Sequence, residues 1–511
     1  MIKTFKKSVL VSTLTLMSRM LGLVRDVLIA VWFGVSAQSD AFFIAFRPFD
    51  LIRKLFSEGI LNISFIPIFS KTRVNDGKAK AASLFFSFFW FLTLAGTLMV
   101  LTGIFFAPII IKIIAPGFIG ASYKLQITTI LFKIMLPYLW LILMSSLCMG
   151  VLNSFGNFGI PALSPVVFNL VVILFTIMIC NLFETPVMGL ALGVTIGGVL
   201  QLAFQIPFMF RSGILKFSFF SGCHPGLIKI LKIMIPSMIG AASYQVNIMS
   251  ASFFASTLDP GSVSFLYYAD RLVQFPLALV SVSAAMVLLP RLSEKAAMGQ
   301  MDEISKLFSN AVKLVFFITI PAMAGLMALD EQIVSMLFGH GVFKGSATPK
   351  TAECLFFLSF GLWSFTGSRL FVTLYYALAD VKIPFYSGVI TIVLNLILCL
   401  LLIDSFGLKG LAVSISISSA TGFAILLINI PGKVKIEKLG IIVSACRSLF
   451  LSAIMFFIVQ QAACFLPESG TDKLWYGTGV IGCIGLGAGF YFIVNLLMAS
   501  PEFKILKKGM I

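Results

Sequence analysis

Residues 8–33 read SVLVSTLTLMSRMLGLVRDVLIAVWF, a run long enough to cross a bilayer as one helix, yet Arg19, Arg25 and Asp26 lie inside it. At the centre of a membrane helix each such residue costs about 2.5–3.5 kcal/mol on insertion scales, so charge persists there where it is paired or lines a polar cavity. The polarity continues in residues 40–59, DAFFIAFRPFDLIRKLFSEG, which carry Asp40, Arg47, Asp50, Arg53, Lys54 and Glu58. Two successive spans with this pattern imply a helical membrane protein built around a charged interior.

The composition agrees. Of 511 residues, 59% are hydrophobic and 11% charged, and the mean hydropathy is +1.05. A water-soluble domain cannot hide that much apolar surface, so the chain reads as an all-α polytopic membrane protein. The segment MIKTFKK ahead of the first span is expected to precede a retained helix, because the apolar run is long and no A-x-A site follows it. The eight cysteines are scattered without a C-x-x-C pair, and His224 and His340 are far apart, so neither a disulfide framework nor a metal centre is expected.

Fourteen spans are placed at 8–33, 40–70, 82–114, 125–153, 160–183, 187–210, 225–257, 263–290, 306–328, 352–379, 385–403, 408–430, 441–466 and 474–500. With both termini cytoplasmic, twenty-one of the 37 basic residues fall inside and six outside, which accounts for most of the net charge of +17 through the positive-inside rule. The charge forms no aromatic-interleaved patch on a soluble domain, so nucleic acid is not an expected partner.

The chain also resembles itself at an offset of 223 residues. L-W at 139–140 falls on L-W at 362–363, I-P at 160–161 on I-P at 383–384, and FIPIFS (65–70) on LLPRLS (288–293). Six spans separate equivalent positions, so the halves enter the membrane in the same orientation, related by a pseudo-two-fold axis along its normal. The expected organisation is an N-lobe at 1–224, a C-lobe at 225–435, each of six helices, and two additional helices at 436–511, with a central cavity between the lobes.

The ionisable residues give that cavity a sign. Arg19, Arg25, Arg47, Arg53, Lys54 and Arg271 contribute +6, against −4 from Asp26, Asp50, Glu58 and Asp270. Asp50, Lys54 and Glu58 are spaced to pair along one helix face. Pairing still leaves about two positive charges, which suit an anionic substrate, and the planar fork of arginine suits phosphate oxygens. Arg369 and Arg447 have no acidic neighbour in register and read as snorkelling or packing residues. Ser18, Gly22 and Gly34 permit close approach or local unwinding, with Gly22 a candidate hinge between two arginines; Pro48 and Gly59 are candidate breaks in the second span.

SRMLGLVRD (18–26), F-G-x4-SDAFFIAF (33–46), RKLFSEG (53–59), FIPIF (65–69), APGF (115–118) and YYADRLVQFP (267–276) closely resemble the MurJ (MviN) family of lipid II flippases, in the multidrug/oligosaccharidyl-lipid/polysaccharide exporter superfamily. The resemblance covers essentially the whole chain. It implies a bacterial inner-membrane protein, not an enzyme, that moves lipid II, a polyprenyl diphosphate bearing a disaccharide-pentapeptide, to the periplasmic leaflet for peptidoglycan synthesis. It places the substrate-binding arginines at Arg19, Arg25, Arg53 and Arg271. Arg47 stands where relatives often have lysine. Ser18, Asp26, Asp40, Glu58, Ser264 and Asp270 match other functionally sensitive positions, and the last two helices match an apolar groove for the lipid tail.

No G-x-x-x-x-G-K-[ST] motif occurs, so the drive is expected from the membrane potential or an ion gradient, with no cofactor and with the coupling ion open between chloride, sodium and proton. Asp380 is the most plausible carboxylate for a cation in the second lobe, unless it is only a loop residue. The chain is expected to act as a monomer, with the cell-wall synthesis machinery as a further partner class. Export of another anionic lipid-linked oligosaccharide, a non-transporting scaffold of cell-wall synthesis, or a membrane glycosyltransferase are the alternative readings. The last would need a carboxylate or histidine constellation and a large loop, and every loop is short.

Overall fold

The computed structural model describes residues 2–56, 60–216, 224–343, 345–432, 434–467 and 473–507, and among these the ordered elements are helices without a strand. The chain divides into two compact units, residues 1–245 with 259–264, and residues 246–258 with 265–511. Eight helices among the described residues are long and apolar enough to cross a membrane, or nine if one bent pair counts as a single span.

The first unit contains α1 (Ile2–Phe33), α2 (Ala37–Leu55), α3 (Leu61–Asn75), α4 (Gly77–Ile114), α5 (Ser122–Ser154), α6 (Gly159–Leu174), α7 (Val187–Ser212) and the start of α8 (Gly226–Ala255). Gly34, at φ +56°, closes α1 in a backbone conformation that a side chain would resist. Ser36 and Ser39 then form a capping box, with Ser39 N donating to Ser36 Oγ at 3.2 Å and Ser36 N to Ser39 Oγ at 2.8 Å. This turn sets Asp40 in the first turn of α2, where the helix dipole favours a carboxylate. Pro48 sits within α2 without ending it; of the span expected at 40–70 the structure describes α2 and α3, and Glu58 and Gly59, between them, lie outside the described residues.

α5 packs against α2, α4 and α7, while α6 packs against α1 and α7. The contact between α7 and its neighbours depends on small residues. A Cβ on Gly189 would lie 2.8 Å from the Cys180 Cα, and one on Gly193 would lie 2.7 Å from the Phe175 Cβ. Membrane helices approach this closely only where side chains are absent, and dispersion across the contact replaces the hydrophobic drive that lipid does not supply. Gln205 then joins three helices, its Nε2 donating to Ser145 Oγ at 2.5 Å and Ser164 Oγ at 2.7 Å. At the start of α8, His224 Nδ1 accepts from Gly226 N at 3.0 Å, and burial lowers the histidine pKa, which keeps that nitrogen an acceptor.

The second unit contains the end of α8, most of α9 (Ser262–Leu277), then α10 (Ser283–Ala297), α11 (Met301–Ala328), α12 (Asp330–Phe338), α13 (Ala347–Ser359), α14 (Leu362–Ala377), α15 (Lys382–Ile428), α16 (Lys438–Ala463), α17 (Lys473–Leu497) and α18 (Pro501–Lys507). The expected span 352–379 is a pair, α13 and α14, bent by 44°. The expected spans 385–403 and 408–430 are two arms of α15, separated at Gly407, whose φ of 53° and ψ of −128° no helix accommodates. α16 packs along α11, and Lys313 of α11 meets Glu437 at 2.7 Å beside the start of α16. Phe317 of α11 packs edge-on or tilted against Tyr491 and Phe492 of α17 and Phe503 of α18, so the last helices are fastened to this unit.

Replacing Gly189 by alanine is expected to cost about 1–3 kcal/mol, since the added methyl meets backbone that cannot yield. Gly482, with nothing within 4 Å of its would-be Cβ, is the control, and its alanine variant should be neutral or slightly stabilising. Thermal melting of the purified variants in detergent checks both, and equal melting temperatures would refute the close contact.

Candidate functional site

The charges on α1 are embedded rather than strewn. Arg25 is buried, and its Nε and Nη2 donate to Asp26 Oδ1 at 3.0 and 2.8 Å. Its Nη1 donates to Asn169 Oδ1 of α6 at 3.0 Å, while Asn169 Nδ2 donates back to the Ser18 carbonyl at 3.1 Å. A single amide therefore bridges the arginine and the backbone two turns earlier. Gly22 lies between them, and a Cβ there would stand 3.6 Å from Asn169 Nδ2, an ordinary contact. Ser18 and Arg19 are half-buried on the same helix.

On α2, Asp50 holds two cations. Arg53 Nη2 donates to Asp50 Oδ1 at 2.6 Å and Lys54 Nζ approaches Oδ2 at 3.1 Å, with Lys54 also donating to Gln245 Oε1 of α8 at 3.1 Å. The Asp50–Lys54 pairing expected from spacing is present, but Asp50 also engages Arg53, which the sequence reading had reserved for substrate. Arg47 is half-buried one turn earlier, and Tyr138 of α5, fully buried, lies within electrostatic range of Asp50, Arg53 and Arg25 together. α2 packs on α5 and α1 on α6, and those two helices both pack on α7. Between residues 8 and 55, Arg19, Arg25, Arg47, Arg53 and Lys54 stand against Asp26 and Asp50 once Asp40 is assigned elsewhere, with Lys3, Lys6 and Lys7 at the start of α1.

Asp40 is assigned to Lys124. Its Oδ2 lies 3.0 Å from Lys124 Nζ and accepts from Gly261 N at 2.7 Å; its Oδ1 accepts from Ser264 N at 3.0 Å and Ser264 Oγ at 2.7 Å. Ser39 Oγ meets Ser264 Oγ at 3.0 Å. Asp40 and Ser264, 224 residues apart, therefore form one anchor in the first unit. In the second unit Asp270 Oδ2 accepts from Gln274 Nε2 at 2.5 Å, and Arg271 donates to the Tyr267 hydroxyl at 2.7 Å with its guanidinium 4.6 Å from that ring.

Three further charged positions have partners of their own. Arg447, given no acidic neighbour in register, pairs with buried Glu502 of α18, which also accepts from Ser444. Asp380 accepts from Lys382 N at 2.9 Å, beside the start of α15. Lys409 forms an exposed pair with Glu353 at 2.5 Å. Sequence reasoning passed over Asn169 and Lys124; a carboxamide within an apolar span was the available signal for the first, and nothing marked the second.

Residues 29–481 match the model of the family described as lipid II flippase MurJ. A probable lipid II flippase MurJ of Buchnera aphidicola subsp. Acyrthosiphon pisum is 33% identical over 500 residues, spanning 96% of this chain and 97% of that one. The solved structure of a lipid II flippase MurJ in an inward closed conformation superposes with a TM-score of 0.80 at 26% identity, covering 96% of this chain and 100% of that chain. An inward-facing transporter of the multidrug resistance MATE family shares the fold at a TM-score of 0.68 and 14% identity, covering 89% of this chain and 99% of that one. With the arginine-rich α1 and α2 in place within that fold, the chain belongs to the MurJ family of lipid II flippases.

Proposed function

We propose that the chain carries lipid II from the cytoplasmic to the periplasmic leaflet by alternating access, as a monomer in the bacterial inner membrane with both termini cytoplasmic. Fourteen spans, arranged as two six-helix lobes at 1–224 and 225–435 with a lipid-tail groove formed by 436–511, complete this reading. The observation that carries it is the cationic excess within residues 8–55: with Asp40 paired to Lys124, five cations stand against two carboxylates. A diphosphate supplies the missing negative charge, and guanidinium forks present paired donors to its oxygens.

The paired geometry defines each residue's part. Asp26 and Asn169 fix the Arg25 guanidinium, and Asp50 fixes Arg53, so the forks are oriented before substrate arrives. An incoming phosphate shares them or displaces the carboxylates. Arg19, Arg47 and, from the second lobe, Arg271 add charge; Asp270, Glu58 and Ser18 tune the cavity, and the Asp40–Ser264 anchor gates it. Rocking of the lobes then exposes the head group outside while the tail remains in the bilayer. The head group's charge couples transport to the membrane potential, worth about 2.3 kcal/mol per charge per 100 mV. Chloride, sodium or proton is the coupling ion, and replacing each in turn during transport by proteoliposomes separates them.

In cells depleted of their own flippase, this chain should restore lipid II at the outer surface. Arg19→Ala, Arg25→Ala and Arg53→Ala should each reduce that signal at least tenfold, Arg25→Lys should recover only part of it, and Lys409→Ala should leave it intact. Restoration by all three alanine variants at normal expression would overturn the site. Gly22→Ala has room for its methyl group, so it isolates the hinge. Transport should fall while expression holds, and undiminished transport removes the hinge.

A further inference from the structure

The first unit has an open pocket of about 460 Å³ at the end where α1 turns into α2. Its position is about two helical turns beyond Arg25 along α1. The lining includes Trp32 and Phe33 of α1, Gln38 of α2, Tyr123 of α5, and Asn181 and Pro186 ahead of α7. This is a site of different chemistry from the arginine cluster. Not one of these side chains is charged, in a chain whose net charge is +17.

The lining narrows the ligand class. An ion would meet no counter-charge there, and an alkyl chain would desolvate two carboxamides without partners, at about 1–3 kcal/mol for each polar group left unpaired. Trp and Tyr at a membrane interface commonly form a belt facing lipid head groups. Here the rings instead converge on one concavity with two amides, each amide offering donors and an acceptor. Among the described residues the Gln38 and Asn181 side chains tie no helices together, so both remain available to a ligand. Ring faces beside neutral donors and acceptors match a sugar, whose C–H face packs on an aromatic ring while hydroxyl and acetamido groups bond to amides.

We propose that this cavity is a saccharide subsite, which receives the sugar part of the head group as it emerges on the outer side. The inference rests on the lipid II reading and extends it: the arginines take the diphosphate, and a separate neutral pocket takes the sugars. Such a subsite favours forward passage, because a head group held at the outer end is removed from the cationic centre.

The test uses the purified full-length chain in nanodiscs with N,N′-diacetylchitobiose as probe, followed by saturation-transfer NMR and by tryptophan emission. Saturable binding is expected. Gln38→Ala and Asn181→Ala should each weaken it about threefold to tenfold, the equivalent of one lost hydrogen bond, and Trp32→Ala should remove it. Gln38 is half-buried and Asn181 exposed, and an unchanged melting temperature confirms that these variants fold. Absence of binding, equal binding by the triple variant, or an identical response to glycerophosphoethanolamine would overturn the subsite. Surface exposure of lipid II in flippase-depleted cells separates the two ideas. If the unaltered chain restores exposure and chitobiose does not bind, the subsite fails and the transporter stands; if it does not restore exposure, the transporter reading fails whatever chitobiose does.

Discussion

The Arg25 guanidinium is the group around which the first unit has to be built. Left alone in a membrane span it costs several kilocalories per mole, and truncating one partner of a buried pair costs about 3–5 kcal/mol because the remaining charge is stranded. All three of its nitrogens are occupied, two by Asp26 and one by Asn169. That arrangement dictates where α6 lies against α1, because Asn169 has to reach both the arginine and the Ser18 carbonyl. A charged site and a helix packing are thus one requirement.

The same device recurs without charge. In the second unit Asn395 Nδ2 of α15 donates to the Asn247 carbonyl of α8 at 3.2 Å, much as Asn169 of α6 serves Ser18 of α1. The spacing from Asn169 to Asn395 is within three residues of the internal offset of 223 read from the sequence. An asparagine from a later helix bonding the backbone of an earlier one is therefore a feature of both halves, onto which the first half has added Arg25 and Asp26. Around Asn395 the polar neighbours are Ser418 and Cys399, all neutral. Asn169 and Asn395 thus make the same kind of bond, and the charged partners Arg25 and Asp26 accompany the first.

Much of this was legible in the chain. Charges in a lipid-length run, the end of the first span at 33 and the gap between the spans ending at 403 and starting at 408, and the Asp50–Lys54 spacing are local signals, because a backbone conformation or an i,i+4 pair is decided within a few residues. What could not be read is long-range. Lys124 reaches Asp40 from 84 residues away, Asn169 reaches Arg25 from 144, and Arg447 finds Glu502 across 55. Each partner looked unremarkable in its own segment.

If the arginines bind a diphosphate as proposed, acidic residues beside them look counterproductive until the guanidinium groups are considered without it. Unpaired guanidinium groups in a low-dielectric cavity would repel one another and draw in counterions or water. Asp26 and Asp50 hold the forks apart and aimed, at the cost of competing with the ligand for the same donors. A diphosphate wins that competition where it satisfies more donors at once than a single carboxylate oxygen, since Arg53 and Lys54 already share one aspartate. Affinity is then moderate rather than maximal. For a carrier that has to release its passenger on the other side, a carboxylate able to reclaim the arginine assists the departure, so the pairs that orient the forks for binding also help to empty them.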